Sequence, residues 1–585
     1  MRTIMPLSNT MVHHPAPVSS APQPGAAAHL HIAVLAGFAV VTAALLWCSF
    51  FPLNLGFCAW FALVPLLILV RAQASLRTIL LIAWIGGLSH YFCSLQWVRV
   101  AHPMMYFSWI GLTFYCSLYF PLSIWLLRRV DRFAPLTITV PIVWTSLEYL
   151  RTHFLTGFAW YFLGHTQHDY LPVIQVSDLA GVYAVTFVVA AANGMLAELL
   201  CRWPSLCRWL RLAQAGQRVL ALPVQLGFVL VLVAGTLGYG VWRVQQTDFS
   251  AGPRVSILQS NLSQGMRNAR HREGDEGENA GKSIMGQMAL LTKAAKAESP
   301  HTDLIIWPET TCPFDWVDAD PAAPSAEISP AIAEWRADRQ QMLADIGGAT
   351  NSNVLLGLNA RDYYASDKAR KANTALLVDR TGKVLDRYDK IHCVPFGEYV
   401  PMRHTFPWLS VFTPYDYDYS CTPGTKETRF QLPTAARRYR FGVLICYEDS
   451  DAALARAYGR PDNGEPPVDF LVNISNDGWF DGTEEHEQHL AVSRFRAVES
   501  RRALVRAVNM GISGVIDGNG RVVALPRATW AESKKVDVAF SATVPLDQRS
   551  SFYARTGDWF PVGCAVLLGF GVLAGLGRGF GSRAK

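Results

Sequence analysis

The run "FGVLICYEDS" (Phe441–Ser450) carries an apolar, strand-like segment straight into a cysteine. A cysteine is nucleophilic only as its thiolate, so chemistry at Cys446 needs a base for the proton and a cation for the charge. Two other strand-like runs lead to such groups: "DLIIWP" to Glu309 and "VLDRYD" to Lys390. Glutamate, lysine and cysteine together supply base, cation and nucleophile for covalent catalysis. Spacing does not establish that the three meet. Cys446 as a small core residue, Lys390 as a solvated strand end and Glu309 as a helix-start carboxylate are the plainer alternatives.

The elements that would position them occupy residues 253–545. "RVSILQSN", "DLIIWPE", "NVLLGLNA", "TALLVD", "KVLDRYDK", "RFGVLICYE", "DFLVNIS", "ALVRAVN" and "SGVIDGNGRVVAL" read as strands. "EISPAIAEWRADRQQMLADIGGAT" and "HEQHLAVSRFRAVESRR" read as helices. "DRTGK" and "DGNGR" are turns whose glycines supply positive φ. Strands with helices between them predict a layered α/β domain with both sheet faces covered.

The rest of the 585-residue chain is of another kind. Hydrophobic residues make up 51% and charged residues 17%, unevenly distributed. A spanning helix needs about 20 mostly apolar residues. Stretches at 29–49, 54–70, 78–98, 104–127, 134–150, 174–200 and 219–242 are candidates, with another at 561–577. The stretch at 54–70 is short, and Pro141 interrupts 134–150. With the N-terminus in the cytoplasm, cytoplasmic loops hold Arg71 and Arg77, then Arg128, Arg129 and Arg132, then Arg202, Arg208, Arg211 and Arg218. The opposite loops hold only Arg99 and Arg151. Basic residues favour the cytoplasmic side, which places the soluble domain outside it. The expected organisation is a disordered Pro/Ala/Ser-rich tail (1–28), a membrane domain of seven helices (29–242), an extracytoplasmic catalytic domain (243–560), and a last helix with a short cytoplasmic tail (561–585). The net charge of +6 is small for this length and does not point to nucleic acid.

Four motifs in order then carry a resemblance: "WPET" (307–310), "YDKIHCVPFGEYVP" (388–401), "LICYED" (444–449) and "NISNDGWF" (473–480). They resemble the nitrilase superfamily and, more closely, its membrane branch, the apolipoprotein N-acyltransferases. "LEYLRTHFLTGFAW" (147–160), the stretch 488–517 and "FYARTGDWF" extend the match over nearly the whole chain beyond the tail. The resemblance implies an αββα sandwich joined to a multi-pass membrane domain of the inner membrane, with the catalytic domain in the periplasm. It implies Glu309 as general base, Lys390 as catalytic lysine and Cys446 as nucleophile. Glu398 is the supporting carboxylate, and Tyr447 and Glu448 follow the nucleophile as that pattern requires. The implied reaction moves an acyl chain from a phospholipid, phosphatidylethanolamine by preference, through a cysteine thioester to the α-amino group of an S-diacylglyceryl cysteine on a lipoprotein. Neither a metal nor a dissociable cofactor is implied.

Three departures from the family's pattern stand out: Asn268 where a tryptophan is frequent, Ala159 in "GFAW" where proline is common, and "VNMG" around Asn509. They bear on lipid positioning rather than on the chemistry. Trp479 and Phe480 are candidates for the acyl site, with ordinary loop packing as the alternative; Asn476 and Asp477 are expected to shape the turn near the nucleophile. The tyrosine-rich run 412–421 reads as a surface loop or an interfacial flap. Cys312, Cys393 and Cys421 share the oxidising side without a spacing that argues for a pair. His486 and His489 share a helical face with no third ligand in view, and are read as ordinary helix residues. Two other functions compete. A membrane-anchored amidase would use the same three residues with water as second nucleophile, but gives no reason for eight helices. A transporter would need intramembrane charge pairs beyond Glu148.

Overall fold

A computed structural model describes residues 24–213, 220–272, 274–319, 330–365, 368–403, 405–408, 420–462 and 464–581. Most of the N-terminal tail and of the run 412–421 lies outside these. Among the described residues, five helices are long and apolar enough to cross a membrane: His31–Ser49, Leu76–Ser94, Met105–Val130, Val182–Leu200 and Leu222–Val244. The other apolar stretches take different forms. Residues 54–70 fold as three short pieces, Gly56–Trp60, Val64–Leu67 and Ile68–Val70. The helix Leu136–His153 contains Pro141, and Trp559–Gly575 is a shorter apolar span. The stretch at 174–200 breaks at Gly181, whose φ of +69° interrupts the helical backbone.

Glu148, the intramembrane carboxylate, is buried and satisfied. It accepts from Trp144 Nε1 at 3.1 Å, Leu163 N at 2.7 Å and Thr186 Oγ1 at 2.6 Å. Its oxygens tie three segments of one bundle, a structural use of a costly group.

The two ends of the bundle differ. At one, the loops that carry most of the arginines meet. Arg71 pairs with Asp131 and Glu198, both at 2.8 Å, and Arg202 reaches Glu198 at 3.1 Å. Arg128 donates to the carbonyls of Leu69, Val70 and Ala72. At the other end the bundle meets the soluble domain. There Asp178 accepts from Arg243 at 2.5 Å, from Arg501 at 2.6 Å and from Tyr239 at 2.7 Å, so one buried carboxylate ties the last helix before the soluble domain to that domain's core.

Among the described residues the soluble domain contains thirteen strands: β1 Ser250–Gln259, β2 Leu304–Ile306, β3 Trp316–Ala319, β4 Asn353–Ala365, β5 Lys368–Val378, β6 Val384–Asp389, β7 Arg429–Pro433, β8 Arg438–Ile445, β9 Phe470–Asn476, β10 Ala503–Asn509, β11 Gly514–Ile516, β12 Val522–Ala524 and β13 Val538–Leu546. One sheet has the order β13-β1-β2-β4-β5-β6, with β3 also on β4, and the other has β12-β11-β10-β9-β8-β7. Their inner faces share one core that includes Val255, Ile257, Leu355, Phe441, Val443, Phe470 and Val505. The outer face of the first sheet is covered by helices Asp275–Glu298 and Pro330–Thr350, and that of the second by Ala452–Tyr458 and Glu485–Ser500. This is the expected αββα sandwich, each layer burying one apolar face. The helix Glu485–Ser500 is buried at every residue, because the membrane domain covers the side that the sheet does not.

Candidate active site

Strand direction brings Glu309 and Lys390 to one rim, and the bonds of Glu448 to Ile391 and His392 hold the turn that carries Cys446 against it. β2 runs parallel to β4, and β4 and β6 are each antiparallel to β5, so β2 and β6 point the same way. Glu309 and Lys390 follow their C-terminal ends, and Cys446 follows β8 in the facing sheet. Lys390 Nζ lies 3.7 Å from Glu309 Oε1 and 2.8 Å from Glu398 Oε2, with Lys390 only 1% exposed. Burial alone would lower the ammonium's pKa, but Glu398, Cys446 and Glu309 carry it well above the ordinary lysine value. Lys390 is therefore a fixed cation. Burial would raise the carboxyl of Glu398, yet Lys390 and the Val394 N–H hold it below the usual range, so Glu398 is an anion whose role is to hold the lysine.

Asn373 on β5, which sequence reasoning missed, bridges the two carboxylates. Its Nδ2 donates to Glu309 Oε1 at 2.7 Å and to Glu398 Oε1 at 3.0 Å. Its signal in the sequence was an asparagine, followed by Thr374, in the otherwise apolar run "ANTALLV". Arg267 supports Glu309 from behind through the Glu309 carbonyl at 3.2 Å.

Cys446 has φ +54°, a left-handed backbone that costs a non-glycine residue about 1–3 kcal/mol. Its neighbours hold that conformation. Glu448 accepts from Ile445 N at 2.7 Å on one oxygen, and from Ile391 N at 2.7 Å and His392 N at 3.0 Å on the other. Tyr388 donates to the same carboxyl at 2.9 Å. Asn473 Nδ2 reaches the carbonyls of Leu444 and Cys446 at 3.2 and 3.1 Å. Glu448 thus clamps the turn that carries Cys446 to the loop carrying Lys390; burial lifts its carboxyl to about 7. Thr310, beside Glu309, is also left-handed at +46°. Burial and the negative charge of Glu309 push the Cys446 thiol well above its ordinary value, against the pull of Lys390. At neutral pH the thiol keeps its proton until a base takes it.

Tyr447 points into the membrane domain. Its hydroxyl accepts from Ala159 N at 3.2 Å, and its ring stacks on Trp160 at 6.1 Å. Phe480 meets Trp97 edge-on at 4.7 Å, and Trp479 is partly buried beside it. Both candidates for the acyl site therefore lie where the two domains join. Asn268, the residue standing in the tryptophan position, accepts from Gln264 at 2.8 Å, and Gln264 accepts from Asn476 at 3.0 Å. Cys312 and Cys393 are buried and unbridged.

His489 corrects the sequence reading. It is no ordinary helix residue but lies between two carboxylates, with Nε2 2.8 Å from Asp449 and Nδ1 3.1 Å from Asp477. Burial would lower its pKa, but the two aspartates raise it to about 10. His486 is not part of this pair of contacts; its ring accepts from Gly482 N.

A family model described as the apolipoprotein N-acyltransferase N-terminal domain matches residues 42–195, and a carbon-nitrogen hydrolase model matches residues 267–548. An apolipoprotein N-acyltransferase of Geobacter metallireducens is 30% identical over 551 residues, covering 92% of this chain and 94% of that protein. One from Rhodopirellula baltica is 29% identical over 584 residues, covering 93% and 96%. Among solved structures, Saccharomyces cerevisiae Nit3, a member of branch 10 of the nitrilase superfamily, is similar at 18% identity, covering 53% of this chain and 96% of that chain with a TM-score of 0.34.

Proposed function

The chain belongs to the apolipoprotein N-acyltransferase family, and we propose that it works through a thioester on Cys446. It is a membrane acyltransferase whose substrates are lipids and lipoproteins. In the proposed first half-reaction Glu309 takes the thiol proton as sulfur attacks the sn-1 ester of a phospholipid, phosphatidylethanolamine in preference. The ester's carbonyl oxygen becomes an oxyanion held by Lys390 and a backbone N–H that follows the nucleophile. The tetrahedral intermediate expels lysophospholipid, which collects the proton from Glu309. In the second half-reaction the α-amino group of S-diacylglyceryl cysteine attacks the thioester carbonyl and Glu309 takes the amine proton; as the amide forms the C–S bond breaks, and the Cys446 sulfur leaves as thiolate and takes that proton back. A thioester stores enough acyl reactivity to make an amide without ATP.

The observation that carries this reading is the packing of Tyr447, next to the nucleophile, against Ala159 and Trp160 of the membrane domain. A site at that seam favours reactants anchored in lipid over a dissolved amide. Glu398 and Asn373 set the lysine and the base, Glu448 sets the turn, and Trp479 and Phe480 receive the acyl chain.

Purified protein with phosphatidylethanolamine and a diacylglyceryl-cysteine peptide should yield peptide with one additional amide-linked chain. The N-acetylated peptide should yield none. Release of free fatty acid at the same rate with either peptide, and no chain on either, would replace this reading with an amidase.

We also propose an inner-membrane location with the soluble domain in the periplasm. The joining of the arginine-bearing loops at the end opposite that domain supports this orientation. A cysteine placed at exposed Lys383 should react with an impermeant maleimide added to intact spheroplasts, and one at exposed Ser205 should react only after lysis. The reverse pattern contradicts the orientation.

A further inference from the structure

We infer that His489 is a specificity-determining residue: it fixes the turn that carries Phe480 against the turn that carries Cys446, and so sets how the alkyl chain of the acyl donor is held. The inference rests on Cys446 as the nucleophile and on Phe480 as a contact of that chain. Cys446 heads the turn Cys446–Ser450, which contains Asp449, and Phe480 ends the turn Asp477–Phe480. His489 lies between the two. Its Nε2 is 2.8 Å from Asp449 Oδ1, and its Nδ1 is 3.1 Å from Asp477 Oδ1. Arg506 spans the same pair, with Nη1 2.7 Å from Asp449 Oδ2 and Nη2 3.6 Å from Asp477 Oδ2. All four residues are at most 2% exposed. A neutral imidazole has one N–H and would set a lone pair against one of its two carboxylates; an imidazolium donates to both. Two buried carboxylates are then balanced by two buried cations. Glu485, 3.5 Å from His489 Nδ1, stays out of this balance, because burial and Asp477 hold its carboxyl protonated.

The two turns do not depend on this clamp equally. The turn of Cys446 is also held by Glu448, through Ile445 N at 2.7 Å, and by Asn473, through the Cys446 carbonyl at 3.1 Å. The turn Asp477–Phe480 is held at its start, by Asp477 and by a 3.3 Å bond from Gly478 N to Asn476 Oδ1. A shift at Asp477 therefore passes to Phe480, three residues on. Phe480 meets Trp97 of the membrane domain edge-on at 4.7 Å, and Trp97 lies 5.8 Å from Trp160. The His489 ring itself lies 5.6 Å from Trp160. One histidine thus bears on both sides of the aromatic seam, on Phe480 through Asp477 and on Trp160 by its own ring. His489 is a positioning residue on this account, acting through Asp477 and Trp160.

The test compares alkylation of Cys446 by N-ethylmaleimide and by N-dodecylmaleimide, read by peptide mass spectrometry on the full-length protein. Each rate is taken relative to wild type, which cancels partitioning of the long reagent into detergent. In His489→Gln the side-chain amide donates from one end only, so one buried carboxylate loses its partner and the Phe480 turn loses its hold. N-ethylmaleimide should react at the wild-type rate. N-dodecylmaleimide should react at least about tenfold more slowly, the scale on which an apolar pocket distinguishes a methylene. His489→Gln combined with Asp477→Asn should restore the long reagent, because the two amides hydrogen-bond each other and Asp449 alone balances Arg506. Asp477→Ala carries the same test if His489→Gln does not fold, since it cuts the clamp and leaves Asp449 and Arg506 paired; it too should slow the long reagent selectively. Neither reagent needs acyl transfer, so the result stands apart from the acyl-transfer reading. A variant that slows both reagents alike, as a merely structural histidine would, or that slows neither, overturns the inference.

Discussion

Cys446→Ala is expected to abolish N-acylation of a diacylglyceryl-cysteine peptide, a loss of at least about 10⁴-fold, the scale seen when a covalent nucleophile is removed. The protein should remain folded, because the thiol lies at the rim of the sheet and its turn is held by Glu448 and Asn473 rather than by sulfur. Cys446→Ser should be nearly as inactive. A hydroxyl is far harder to ionise than a thiol, and this site does not ease ionisation. Even the cysteine is pushed above its ordinary pKa by burial and by Glu309. For the same reason the proposed half-reaction relies on Glu309 accepting the proton as attack occurs. Product formation by Cys446→Ala at more than a hundredth of the wild-type rate, measured with equal folded protein, would move the nucleophile elsewhere.

Lys390→Met is expected to lower both half-reactions by at least about 10³-fold. Loss of one oxyanion donor costs about 2.7–4 kcal/mol, or 10²–10³ in rate. Lys390 also balances Glu398 at 2.8 Å and faces Glu309 at 3.7 Å, so its loss disturbs the base as well. Methionine suits the buried space, and Glu398, left without its ammonium, can take a proton instead of remaining a buried anion. The measurement is single-turnover acylation followed by peptide-driven discharge. Discharge at the wild-type rate, with acylation alone impaired, would confine the lysine to the first half-reaction.

Glu309, Lys390 and Cys446 were legible in the sequence because each follows a strand-like run and stands in a motif that resembles the family's. Their support was less so. Asn373 and Asn473 lie in the buried parts of their strands, beside or near other polar residues such as Thr374 and Ser475, and a polar residue in such a run does not announce which way it faces. Nothing in the spacing of His489 sets it apart, since all of Glu485–Ser500 is buried and the helix shows no polar face to read against. The helix Asp275–Glu298 was missed although Ile284, Met288, Leu291 and Ala295 fall on one buried side. Gly277, Gly281 and Gly286 weaken its helical signal, and packing against the first sheet outweighs them. Among strands, β7 and β13 are sheet edges, and Pro433 ends β7 where proline argues against a strand. β3 has only four residues and pairs on β4 off the main path. In the membrane part, hydropathy marked the apolar stretches but not their shapes. Residues 54–70 fold as short pieces because tertiary contacts, such as Asn193 Oδ1 accepting from Leu63 N at 2.8 Å, satisfy backbone that a continuous helix would satisfy internally.

Intact-protein mass spectrometry after brief exposure to phosphatidylethanolamine tests the central claim most directly. One added acyl chain is expected per molecule, on the peptide containing Cys446, sensitive to hydroxylamine, and discharged onto a diacylglyceryl-cysteine peptide faster than into water. A chain on any other residue, or no adduct from an enzyme that still makes triacylated peptide, would contradict a thioester on Cys446.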